Sequence, residues 1–159
     1  MTTFASKLQR AYALLVSFAN SLQSPLLLFV RVYWGWQFVV DGWGKLNDLP
    51  KVIEYFGSLG LPAPAPTAYF VSILELVGGV LLALGLGSRL IALLLTGNMI
   101  VAYIAGDRAA LLSIFSDPDK FTAAAPFTYL MASLVVLIFG PGKFALDPLL
   151  ERWWTRRSA

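Results

Sequence analysis

Cysteine and histidine are both absent from the 159 residues. Their absence excludes a disulfide framework, thiol redox chemistry, thiolate-held iron–sulfur clusters and the usual haem or zinc ligands. No metal site and no covalently bound cofactor is therefore expected, and any redox role must use a diffusible or partner-held cofactor. Charge is also scarce: Asp, Glu, Lys and Arg make up 13% of the chain, against roughly 25% in a soluble domain. Apolar residues fill the gap, at 58% of the sequence with a mean hydropathy of +0.72. The net charge of +3 is not gathered into a basic face. Lysines and arginines flank apolar runs instead, which reads as membrane topology rather than nucleic-acid binding.

The pattern predicts an all-α integral membrane protein: a four-transmembrane-helix bundle forming a single membrane domain over residues 1–159. Crossing a bilayer core of about 30 Å takes about 20 helical residues, and four segments qualify, at 25–45, 67–86, 89–106 and 123–139. The last is short, which an earlier start, tilt or local thinning accommodates. Only a tight turn fits in Gly85-Leu86-Gly87-Ser88-Arg89, so the second and third spans are antiparallel neighbours.

Residues 1–24 differ from these spans. Phe4, Leu8, Tyr12, Leu15, Ala19 and Leu22 recur every three or four residues, while Ser6, Lys7, Gln9, Arg10 and Ser17 lie largely opposite. An amphipathic helix in the membrane interface is expected. The competing reading is a secretory signal, with Lys7 and Arg10 ahead of Ala11–Ala19. The regular period, and Tyr12 and Ser17 inside the apolar stretch, favour the interfacial helix.

Basic residues set the orientation. Lys7, Arg10, Arg89, Lys143, Arg152, Arg156 and Arg157 fall on one side; on the other, Lys45, Lys51, Arg108 and Lys120 are outnumbered by acids. The positive-inside rule makes both termini cytoplasmic, with 140–159 a cytoplasmic tail whose Trp153 and Trp154 suit the headgroup region. Of the outer connections, KVIEYFGSLGLPAPAP reads as a short interfacial helix ending near Gly57–Gly60 and a proline-stiffened return. FSDPDKF reads as a turn with capping aspartates. LGLGSRL and FGPGKFA share a Gly-x-Gly pattern closely followed by a basic residue, which helix ends favour in any case.

Polar residues within the spans are the candidate site. Helical spacing gives one stripe of Arg31, Gly35, Phe38, Gly42 and Lys45, with Asp41 at its edge. Glu75 shares a stripe with Ala68, Ser72, Gly79 and Leu82, and small residues around a carboxylate indicate close helix approach. At 1.5 Å per residue, Arg31 lies roughly 9 Å, Asn98 roughly 14 Å and Glu75 roughly 16 Å from the cytoplasmic ends of their helices, with Tyr129 similarly deep. Arg31, Glu75, Asn98 and Tyr129 are thus expected to converge, with Arg31 and Glu75 paired, because intramembrane charges face the interior and pair. Such a cluster serves either a ligand or helix packing. Asp41 and Lys45 form a candidate i,i+4 pair toward the outer surface.

R-x3-G-x-x-F-x3-G-x-x-K in the first span, LGLPAPAPTAYFVSILELVGGVLLALGLGSRLIAL, and the terminal GPGKFALDPLLER together resemble the DoxX family of bacterial membrane proteins, over Pro25 to Glu151. The matching positions are Arg31, Gly35, Phe38, Gly42 and Lys45, then Gly60, Pro62, Glu75, Gly79, Gly85 and Arg89, then Gly140, Gly142 and Asp147. Ala145 departs from the family's frequent serine, and the Trp-Gly-Trp is more aromatic than the general pattern. The resemblance implies a four-helix inner-membrane protein associated with oxidoreductases. The implied function is a membrane subunit of a quinone-linked or redox-associated complex that is not a self-sufficient enzyme. In it Arg31, Lys45 and Asn98 would donate to a quinone oxygen and Glu75 would handle a proton. The alternatives are a noncatalytic anchor for a protein partner and a small-molecule or metallophore permease, which would require a homodimer. Expected partners are the bilayer and a protein of the same complex, with no nucleic acid.

Overall fold

The computed structural model describes residues 2–157, with side chains described for residues 6–151 and Trp153. The described residues form eight helices: α1 (Thr2–Asn47), α2 (Leu49–Ser58), α3 (Pro64–Leu84), α4 (Ser88–Ala105), α5 (Arg108–Leu112), α6 (Pro118–Ala123), α7 (Pro126–Phe139) and α8 (Leu146–Arg157). Three of them, α1, α3 and α4, are long and apolar enough to cross a membrane, and α7 is a shorter apolar helix. At 1.5 Å per residue, α3 and α4 run about 32 and 27 Å, matching a bilayer core of about 30 Å. The 14 residues of α7 reach only about 21 Å by the same rise. The segment expected from residue 123 begins at Pro126, because proline has no N–H to donate and fits the first helical turn.

A second difference concerns α1. It runs unbroken for 46 residues, about 69 Å, through Pro25, where two separate helices were expected. Proline removes one rung of the helical ladder and restricts the residue before it. Several turns of good helix formers on each side outweigh that loss. Residues 7–23 are all exposed, whereas Ser24 and Leu27 touch the rest of the chain, so packing begins at Ser24.

Helix α1 packs most extensively on α3, α4 packs on α7, and α3 joins the two pairs. Glycine sets the α1–α3 contact. A Cβ on Gly35 would sit 2.7 Å from the Gly79 carbonyl oxygen, one on Gly79 would sit 2.9 Å from the Phe38 Cβ, and one on Gly42 would meet the Ser72 carbonyl oxygen at 2.7 Å. The two backbones therefore run antiparallel, with Gly35 opposite Gly79–Ala83 and Gly42 opposite Ser72–Leu76. Phe38, Leu82, Ala92, Leu95, Met99 and Val136 fill the core beside this seam.

Each end of the bundle is closed differently. At one end, here the tail side, α3 stops in a left-handed Gly85 (φ 72°) and Leu86 N–H donates to Leu81 O at 3.0 Å. This six-to-one bond terminates a helix in a tight turn. At the opposite, lid side, α2 packs across α3, and α5 and α6 fill the 107–122 connection where turns alone were expected. Tyr103 ties α6 to α4 by donating to Phe121 O at 2.8 Å. The expected headgroup placement of the tail involves Arg152, Trp154, Arg156 and Arg157, whose side chains lie outside the described residues.

Candidate functional site: a polar floor in an apolar cavity

The polar residues of the spans divide between the two ends. On the lid side, Glu75 is 2% exposed and both of its oxygens are engaged. Oε2 pairs with the Lys45 ammonium, and Oε1 accepts from Asn98 Nδ2 at 3.0 Å. Three helices thus meet at one carboxylate: α1 supplies the cation, α3 the anion and α4 the amide. Lysine carries three N–H donors and an asparagine amide two donors and an acceptor, so each retains donors beyond those given to Glu75.

This triad forms the floor of a cavity of about 310 Å³, also lined by Asp41 and Tyr129. The Tyr129 hydroxyl interacts with the Asp41 carboxylate, and its ring packs edge-on against Phe38 with centroids 4.8 Å apart. The walls are carbon-rich: Phe38, Val71 and Met99 below, Val52, Tyr55 and Phe56 from α2 and Leu59 just after it above, and Ala102 and Ala105 along α4. A few convergent polar groups in an apolar pocket is the usual composition of a small-molecule site.

Arg31 is elsewhere. Its guanidinium is fully buried on the tail side, where Nη2 donates to the Phe144 carbonyl oxygen. The expected Arg31–Glu75 pair is therefore not formed, and of the four residues expected to converge only Glu75, Asn98 and Tyr129 share the cavity. The α1–α3 register explains this. With Gly42 against Ser72–Leu76, Glu75 lies opposite the stretch just before Lys45, and Arg31 lies opposite Gly85, about 21 Å along α1 from Lys45 at 1.5 Å per residue. The expected Asp41–Lys45 pair is likewise replaced. Lys45 points along the buried stripe to Glu75, while Asp41 is exposed at the cavity rim.

The tail-side cluster gathers most of the remaining motif residues. Asp147 caps α4, its carboxylate accepting from Gly87 N at 2.7 Å and Ser88 N at 2.9 Å, while its own N–H donates to Gly85 O at 2.9 Å. Burial pushes the Asp147 carboxyl up, but the bonds from Ser88 and Gly87 and the nearby Arg31 charge outweigh this and hold it below the ordinary carboxylate value. A helix N-terminus favours an anion for the same reason. The Arg89 guanidinium lies over Gly140, Gly142 packs on Leu27, and Lys143 N donates to Ser24 Oγ at 3.3 Å. A Cβ on Gly85 would collide with the Arg31 guanidinium. The repeated Gly-x-Gly followed by a basic residue was the sequence signal for this closure, since its two copies meet here. No signal marked the Phe144 carbonyl as the acceptor for Arg31.

Fold and site together define an all-helical membrane protein with a polar centre inside its bundle. The chain belongs to the DoxX family, whose profile matches residues 26–108. It is 34% identical over 125 residues to "Putative oxidoreductase CatD" of Bacillus subtilis (strain 168), covering 77% of this chain and 85% of that one. Inner membrane proteins YphA and YqjF of Escherichia coli (strain K12) are each 25% identical, over 77% and 85% of this chain and 88% and 99% of their own lengths. No solved structure matches the chain significantly.

Proposed function

We propose that this DoxX-family chain is the membrane-embedded ligand-binding subunit of a redox-associated complex, and that its cavity takes a quinone-type headgroup. The observation that carries the reading is the triad itself: a buried carboxylate held by Lys45 and Asn98, with spare donors, at the floor of an apolar cavity. Lys45 and Asn98 would hold the carbonyl oxygens, and Glu75 would handle a proton. A bound quinone would supply two-electron chemistry that a chain without cysteine or histidine does not provide through its own thiols or metal ligands. Electrons then come from a protein partner, in keeping with the oxidoreductase named among the relatives.

The setting is a bacterial inner membrane, as the names of two relatives indicate, with α7 as the fourth span, both termini cytoplasmic and the tail side facing the cytoplasm. The exposed start of α1 then lies in the cytoplasmic interface with its apolar face toward lipid. A reporter fused to the C-terminus and found outside the cell would overturn this orientation.

The cavity is tested by Asn98→Leu. One hydrogen bond within a membrane bundle contributes about 0.6 kcal/mol, so the variant should remain folded while losing bound quinone. Thermal stability in mild detergent and quinone extracted from the same preparations are the two readouts. Wild-type protein without quinone, or equal quinone in both, would count against the proposal.

A further inference from the structure

The outer wall of the cavity, where α2 meets α4, has a character that the polar floor does not explain. Helix α2 packs on α3 and reaches α4 at that helix's last turn, where a Cβ on Gly106 would lie 3.2 Å from the Tyr55 hydroxyl and 4.0 Å from Leu59 Cδ1. On either side of this contact the lining residues emerge on the outside of the bundle: Tyr55 is 52% and Val101 49% exposed. Val101 borders Ile100 and Ile104, which are exposed on the lipid-facing surface of a spanning helix. The α4 edge of the gap is built from small residues, Ala102, Ala105 and Gly106. A largely apolar, partly exposed wall beside a polar floor suits an amphiphile.

We infer that the cavity opens sideways into the bilayer between α2 and the C-terminal turn of α4, and that its ligand carries an apolar chain leaving through this slot. The occupant is a prenyl- or alkyl-tailed molecule whose headgroup sits over Glu75. This rests on the quinone reading for the headgroup, while the slot itself is independent of which headgroup is bound. A tail in the slot exchanges lipid contact for contact with Tyr55, Leu59 and Val101 at little cost, and it tethers the head at the high local concentration of a membrane-dissolved ligand. A water-soluble ligand would gain nothing from the slot.

Filling the slot tests the inference. Gly106 has an ordinary backbone conformation, φ −92° and ψ −41°, so Gly106→Phe adds a side chain without backbone strain, and Ala105→Phe places the same bulk one residue earlier. Binding of two probes to the full chain in nanodiscs is compared, with empty nanodiscs subtracted: 2,3-dimethoxy-5-methyl-1,4-benzoquinone, and the same headgroup with a decyl chain. Both variants should weaken the decyl form about tenfold more than the bare headgroup. Equal losses for the two probes, or no loss for either, would overturn the slot. Photocrosslinking from p-benzoylphenylalanine in place of Phe56, which lines the cavity, gives a readout without quinone. Lipid acyl adducts that fall when Ala105→Phe is added support the slot, even if neither quinone binds and the headgroup reading fails. Absence of acyl adducts at that position overturns the slot whatever the quinones do.

Discussion

Replacing Lys45 by methionine is the sharpest test of the site's electrostatics. The substitution keeps most of the side-chain volume and removes only the ammonium, leaving Glu75 with Asn98 as its sole hydrogen-bond partner at 2% exposure. Removing one partner of a buried pair typically costs about 3–5 kcal/mol, because the surviving charge is uncompensated in low dielectric. The Lys45 side chain is 32% exposed, which admits some screening, so the lower end of about 3 kcal/mol is expected. That corresponds to roughly two orders of magnitude in the folding equilibrium, at about 1.4 kcal/mol per factor of ten. Glu75→Gln in the Lys45→Met background should recover most of the loss, since a neutral amide can still meet Asn98. Arg31→Met with Glu75→Gln should instead be additive, because the two groups lie at opposite ends of the bundle and share no partner. Unfolding of single and double variants by sodium dodecyl sulfate titration in mixed micelles measures all of these terms. An additive Lys45–Glu75 cycle, or strong coupling between Arg31 and Glu75, would refute the reasoning.

Gly42→Ala should be more damaging than a usual surface change. Its Cβ would press on the backbone of Ser72 and Leu76, and overpacking costs typically about 1–3 kcal/mol; a midpoint in the same titration equal to wild type would reject the register. Gly44→Ala, where nothing lies within 4 Å, is the matched control and should keep or slightly raise that midpoint, since alanine is the better helix former. Asp147 should confer an acid-sensitive component of stability. Its carboxyl is depressed in the folded state, so its contribution is complete above the ordinary value near 3.9 and is lost as pH falls through the depressed one. Asp147→Asn should therefore be destabilised by a constant amount of about 1.5–3 kcal/mol from pH 7 to 5, the range for charge-assisted bonds. The gap should narrow below pH 4, and a gap independent of pH down to 3 would show that the carboxylate charge is not what caps α4.

Periodicity alone determined a good deal of this protein. Scarce charge and long apolar runs made it a membrane protein, and the 3.6-residue period placed Arg31, Gly35, Phe38, Gly42 and Lys45 on one face, which is the face that packs on α3. The small residues around Glu75 marked the contact, since only a missing side chain lets two backbones approach so closely. A helical period fixes which way a side chain points around its axis, however, and leaves open how far one helix is slid along another. Arg31 and Lys45 occupy the same stripe at different depths, so the sequence offered two cations to one carboxylate. The choice was made by the steric fit of Gly35 and Gly42 against Gly79 and Ser72, a contact between residues thirty or more positions apart. The same sliding sent Arg31 to the Gly85 turn, where the Phe144 carbonyl accepts from it and the Asp147 charge is near. Continuity of α1 through Pro25 was also beyond local rules, which count the lost rung at proline but not the helix on both sides of it. The cavity belongs wholly to tertiary structure: five helices enclose it, and none carries it alone.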